Sequence, residues 1–208
     1  MWFVETNQPV VAITFDDGPD PVWTPQVLDL LAKHEVRATF FVVGENARRH
    51  PELVARIRAE GHEIGNHFDR VGTTLFLSEA DFERDLLAAE QSIGLRAAAA
   101  QPDDGARRTM LFFRPPGGFI RPAHRAIALR HGYVSVLGSA YAFDPHGPPQ
   151  AYIEWVIAKN LRPGAIAVLH DAGGDRSTNL AALAAILTAG KARGLRWVTL
   201  TELMQAGK

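Results

Sequence analysis

Five groups of polar residues interrupt an otherwise apolar chain in the same way. Asp16-Asp17, His67, Arg114, Asp144 and His170-Asp171 each stand at or just beyond the end of an apolar run. Carboxylates and imidazoles are the side chains that exchange protons and bind divalent cations near neutral pH. Singly, an Asp or His at such a place is as readily a helix cap or a turn residue. Five recurrences in one pattern mark a shared edge where chemistry is assembled. The chain has no cysteine, which excludes thiolate metal sites, a cysteine nucleophile and disulfides, so any metal must be held by His and carboxylates.

The elements that must position these residues alternate. Val10 to Phe15 is a short β-branched apolar run that stops at Asp16-Asp17-Gly18-Pro19, a buried strand ending in a polar loop. Thr24 as a capping residue with Pro25 next opens a helix through Leu31, and Ala38 to Val43 is a second buried strand, giving one β-α-β unit. The alternation continues with a helix over Pro51–Glu60, a brief strand over Glu63–Asn66, and a helix over Ser78–Ser92 opened by a Ser-x-x-Asp box. Further strands are expected at Leu111–Phe113, Val134–Leu137 and Ala165–Leu169, and helices at Pro122–His131, Ala151–Asn160 and Asn179–Arg193. Trp197–Leu200 is expected to close the sheet. Ala97–Gly105 reads as a surface excursion. About seven such units predict a parallel α/β barrel or a wound open sheet, and both place chemistry at the strand C-termini.

With 208 residues and no composition break, one domain is expected over residues 1–208. A hydrophobic share of 47% is ordinary for a globular chain, and a net charge of -1 supplies no field to draw nucleic acid or anionic lipid. No run approaches a membrane span, and Met1-Trp2-Phe3-Val4-Glu5 lacks a basic segment before an apolar one, so a cytoplasmic or trimmed extracytoplasmic chain is expected.

From Val10 to Leu203 the sequence resembles the polysaccharide deacetylase (NodB-like) family, carbohydrate esterase family 4. The resemblance is carried by Thr14-Phe15-Asp16-Asp17-Gly18-Pro19, by Ala38 to Gly44, and by Gly61-His62-Glu63-Ile64-Gly65-Asn66-His67. Phe113-Arg114-Pro115-Pro116-Gly117 and Ile166-Ala167-Val168-Leu169-His170-Asp171 complete it. It implies a distorted (β/α) barrel of about seven strands and metal-dependent removal of N-acetyl groups from N-acetylglucosamine units of chitin-like or peptidoglycan-like glycans. In that scheme Asp16 is the general base, Arg114 its partner, Asp17 and His67 metal ligands, and His170 the general acid, while Asp144 orients a neighbour. Pro116, Gly117 and Leu169 line the substrate, with backbone N–H groups near Gly117 serving the oxyanion. Zinc is the expected cation, with cobalt, nickel or manganese also suited to His and carboxylate donors.

The chain departs from the family pattern at one ligand. Family members carry a second His four residues after the first, and that position is Val71. Asp69 reaches the metal only from an irregular loop, and His146 in Asp144-Pro145-His146-Gly147 is another candidate third ligand. His62, five positions before His67 on a strand, is expected to be a buried structural histidine. His34, His50, His124 and His131 are expected to be solvated or capping. Aromatic residues usual at Gly117 and after Asp144 are absent, which implies an altered substrate wall. Two alternatives follow: a carbohydrate-binding relative weakened by the lost ligand, or a hydrolase of another non-peptide C–N bond on the same fold.

Overall fold

Strands and helices alternate along most of the chain, broken once by two successive helices and once by two successive strands. The structure is a computed structural model that describes residues 1–96 and 110–207; the Ala97–Gly105 stretch lies outside the described residues. In chain order the elements are β1 (Val10–Asp16), α1 (Trp23–Lys33), β2 (Thr39–Val42), α2 (Gly44–Arg49), α3 (Pro51–Ala59), β3 (Glu63–Asn66), α4 (Glu79–Ile93) and β4 (Leu111–Phe113). They continue with α5 (Pro122–Arg130), β5 (Tyr133–Ser135), β6 (Ala140–Tyr141), α6 (Gln150–Asn160), β7 (Ile166–His170), α7 (Ser177–Ala192), β8 (Arg196–Val198) and α8 (Leu200–Gln205).

All the named strand pairs are parallel, in the order β5-β4-β3-β2-β1-β7-β6, and the sheet curls into a half-barrel. This is the distorted (β/α) barrel expected from the motifs. Side chains alternate across each strand, so the sheet divides two cores. Val11, Ile13 and Phe15 of β1 join Ala167 and Leu169 of β7 in the core under the helices. Val10, Ala12, Phe41, Phe112, Val136 and Ile166 fill the other face. Thr14, Asp16 and His170 continue that second face, so the polar groups rise from the same side of the sheet at its C-terminal edge.

Two local expectations are corrected. The strand expected over Trp197–Leu200 does not close the sheet: β8 ends at Val198 and pairs with the N-terminal half of β1, Val10–Ala12. Thr199 stops it, because its side chain accepts from the Glu202 N–H while Glu202 accepts from the Thr199 N–H, a capping box that starts α8. Nor does Thr24 cap α1. The first turn is held by Asp20, whose Oδ1 accepts from the N–H groups of Val22 and Trp23 at 2.8 and 3.0 Å. Ser78 does cap α4, accepting from the Asp81 N–H at 3.1 Å.

His62 is buried, as its strand position requires, and its Nδ1 accepts from the Ala38 N–H at 3.1 Å. Burial pushes its pKa from 6.5 down to about 4, with Arg37 and Arg56 adding to the fall and Glu60 opposing it. A depressed folded pKa means stability that is present above pH 6.5 and is lost as pH falls toward 4. The contribution is on the order of 2 kcal/mol. A His62→Asn variant, whose side-chain oxygen can accept the same bond, should show a flatter unfolding free energy between pH 6.5 and 4 in urea titrations. An unchanged slope would place the acid sensitivity elsewhere.

Candidate active site

Asp16 ends β1 level with Phe41 of β2 and His170 of β7. Arg114, just past β4, reaches across the curled face to it. Its Nη1 donates to Asp16 Oδ1 at 2.6 Å and to Thr14 Oγ1 at 2.8 Å, and its Nη2 donates to the Leu137 carbonyl at 2.9 Å. The guanidinium also sits 4.0 Å from the centre of the Phe41 ring. Both charged groups are buried, at 4% and 3% exposure, so removing either partner would leave an uncompensated buried charge. The fork of donors fixes which Asp16 oxygen stays free.

Asp17 takes up a left-handed backbone conformation, φ 73°, unusual for a residue with a side chain. Its carbonyl is held by the Asn46 side chain at 2.8 Å. The turn swings the Asp17 carboxylate away from Asp16 and toward His67, whose Nε2 lies 3.3 Å from Asp17 Oδ1 and 4.0 Å from Asp16 Oδ2. His67 Nδ1 contacts the Arg114 carbonyl at 2.9 Å, which leaves Nε2 to face the cleft. Burial raises the Asp17 pKa, but the hydrogen bond and charge of His67, with His170 and Arg176, outweigh it and hold the carboxyl below its ordinary value.

Asn66 sets this bend. Its Oδ1 accepts from the Phe68 N–H at 2.7 Å, while its Nδ2 donates to the Leu86 carbonyl at 2.9 Å and to Tyr133 Oη at 3.2 Å. Phe68 is thereby held at φ 73° with its ring in the core against Phe82 and Phe113. His67 is left pointing into the cleft.

On the other side of Asp16, His170 Nδ1 lies 3.0 Å from Asp144 Oδ1. Asp144 Oδ2 also accepts from the His170 N–H at 2.9 Å and from Asn179 Nδ2 at 2.5 Å. Burial would lower the His170 pKa, but the hydrogen bond and charge of Asp144, with Asp16 and Asp17, raise it above its ordinary value. Asn179 is a residue the sequence reading missed, since nothing local distinguishes it from other polar residues of α7. Asp171 lies next to His170 and is fully buried. It accepts from Thr24 at 2.5 Å, and burial, reinforced by the Asp17 charge, pushes its pKa up to about 7. It leaves no room for a side chain at residue 18, where an added Cβ would stand 2.5 Å from Asp171 Oδ1. Gly18 is therefore required by packing.

Neither candidate third ligand joins Asp17 and His67. Asp69 is buried with its carboxylate on Arg48, at 2.6 and 3.1 Å, because the segment after His67 docks on α2 through bonds from Gly44 N–H to Phe68 O and from Glu45 N–H to Asp69 O. His146 is exposed at the end of the single turn Asp144–His146, on the opposite rim. Val71 is 62% exposed and lines a recess of about 350 Å³ together with Asp17, Asn46, His50 and Gly173. His50 thus belongs to the site's rim, in contact with Glu52 at 3.4 Å. Leu169 does not line the cleft; it is fully buried in the helix-side core, on the face opposite His170. Pro116 is buried, and Gly117 is exposed at φ 72° in the turn Pro116–Gly118. His124, expected at the surface, is fully buried and stacked on Phe82 at 4.3 Å.

The donor set suits a metal in part. One carboxylate oxygen and one imidazole nitrogen 3.3 Å apart, the latter anchored through its other nitrogen, match two neighbouring ligands of one divalent cation. Among the described residues no group of three or more His, Asp or Glu side chains converges there.

The family model for polysaccharide deacetylase matches residues 3–136. The chain belongs to the polysaccharide deacetylase family. A peptidoglycan-N-acetylglucosamine deacetylase of Bacillus cereus is 41% identical over 207 residues, covering 98% of this chain and 92% of the relative. A crystal structure of a peptidoglycan N-acetylglucosamine deacetylase in complex with 4-naphthalen-1-yl-N-oxidanyl-benzamide superposes with a TM-score of 0.88 at 33% identity, covering 98% of this chain and 92% of that one. The family also contains a pseudoenzyme, of which a mutant with restored enzymatic activity superposes with a TM-score of 0.86 at 25% identity, covering 100% of this chain and 72% of that one. In this polysaccharide deacetylase family member the motif positions are occupied by Asp16-Asp17, His67, Arg114 and His170-Asp171, and Val71 stands four residues after His67.

Proposed function

We propose that this chain is a metal-dependent deacetylase that hydrolyses the N-acetyl group of N-acetylglucosamine units in a peptidoglycan-like or chitin-like glycan. One observation carries the reading: two separately oriented proton-transfer groups, Asp16 held by Arg114 and His170 held by Asp144, surround the Asp17–His67 donor pair. A divalent cation on Asp17 and His67, zinc by ligand type with cobalt, nickel or manganese also suited, would polarise the acetyl carbonyl and acidify a water. Asp16 accepts the proton of the attacking water, its carboxylate oriented by the Arg114 guanidinium. His170, held protonated by Asp144, delivers a proton to the amine as the C–N bond breaks, leaving acetate and a free glucosamine. The Gly117 backbone N–H, next to two prolines that have none, donates to the oxyanion. The named activity of the Bacillus cereus relative supports the substrate class.

Val71 favours a second reading, a sugar-binding relative without turnover, because a lost ligand weakens metal binding. Acetate release from an N-acetylglucosamine oligomer, measured on untagged protein with zinc added, separates the two. Acetate and free amine in equal amounts, both lost on chelation, are expected. Folded protein that binds the oligomer but releases no acetate would establish the second reading.

A further inference from the structure

Phe143 stands next to Asp144 in the left-handed region, φ 54° and ψ 34°, a costly place for a bulky side chain. The backbone conformation has a local purpose, since the turn it starts delivers Asp144 to His170. A glycine would make the same turn without strain. The phenyl ring needs another reason, and burial does not provide it, because the residue is 58% exposed.

The ring packs on Tyr141, with centroids 4.7 Å apart and planes inclined at 41°. Tyr141 in turn lies 6.0 Å from the His170 imidazole. Tyr141 is half-buried, and no hydrogen bond to its hydroxyl is found among the described residues. Burial, then the charges of Asp144, Asp16 and Asp17, push its pKa up to about 12, so the phenol remains a donor. From the acid outward the rim therefore presents an imidazole, a phenol and an open phenyl face. β6, which carries Tyr141, is at the end of the strand order beyond β7, so this wall extends to one side of the catalytic edge.

We propose that Phe143 and Tyr141 form the stacking wall for the sugar ring adjoining the one deacetylated, so that the site takes oligomers in preference to single sugars. A pyranose presents a face of C–H bonds to an aromatic ring and a rim of hydroxyls to a phenol, and both partners are present in that order. The ring whose nitrogen is protonated must lie against His170, so the neighbouring ring along the chain meets Tyr141 and Phe143. The assignment rests on the proposed deacetylase reading for its substrate class.

The test is calorimetric binding of N-acetylglucosamine and its pentamer to the full chain and to Phe143→Gly, Phe143→Ala and Phe143→Trp variants. Pentamer affinity should fall about tenfold in the Gly and Ala variants and be retained in Phe143→Trp, while affinity for the single sugar stays constant. Phe143→Gly should unfold at an equal or higher temperature, since the left-handed strain is relieved. If acetate is released, the loss should fall on KM more than on kcat. Pentamer affinity unchanged in both small variants would overturn the wall. So would concentration-dependent self-association that Phe143→Gly abolishes without altering sugar affinity, because it would assign the face to a second copy of the chain. Pentamer binding that depends on Phe143 without any acetate release would leave the wall standing and remove only the deacetylase reading.

Discussion

Val71→His is expected to raise zinc affinity on the order of 100-fold, since even indirect support of a metal ligand is worth roughly 10- to 100-fold. The position is favourable for the change. Val71 is 62% exposed, so no core packing is lost, and it lines with Asp17 the same recess of about 350 Å³. An imidazole there adds a third protein donor to Asp17 and His67 and leaves open positions for water and substrate. Competition against a chromophoric chelator measures the affinity directly, and acetate release on an oligomer should rise with it at limiting zinc. Asp17→Asn in the same background should undo the gain. Unchanged affinity would mean that the Arg48–Asp69 pair holds residues 68–71 too far from the donors, and the double variant Val71→His, Arg48→Ala would then be the informative one.

The Asp16–Arg114 couple should give the largest losses, of different kinds for its two members. Asp16→Asn keeps an acceptor for the guanidinium but removes the basic oxygen, so acetate release should fall by roughly 10²- to 10⁴-fold with modest loss of stability. Arg114→Met leaves the Asp16 carboxylate buried and without its cation, a loss of about 3–5 kcal/mol in urea unfolding. The double variant should recover part of that cost, because it no longer strands a charge. Equal and additive destabilisation by the two changes would show that the pair is not coupled.

Much of this fold is written in local patterns. The strands Glu63–Asn66 and Leu111–Phe113 have the bounds expected of them, and the Ser78 cap and the alternation in β1 need only neighbouring residues to be read. β6 was not anticipated, because Ala140–Tyr141 is too short to show a period. Thr24 illustrates the limit of cap rules: its hydroxyl donates to Asp171, 147 residues away, and Asp20 holds the turn that leads into α1 instead. His124 illustrates the limit of helix-end rules, since the Phe82 ring that buries it comes from another helix.

By itself the sequence determined the residue types at the active edge, their order on parallel strand ends, and the absence of a second imidazole at residue 71, because motif spacing and strand period are properties of the chain. Only the tertiary structure decided which carboxylate each charged partner holds, that Asp69 faces Arg48 and Leu169 the helix-side core, that Asn179 supports Asp144, and that Phe143 opens beside Tyr141 on the His170 side of the cleft. Those are outcomes of sheet curl and loop docking, which join residues far apart in the chain through contacts that carry no local signature.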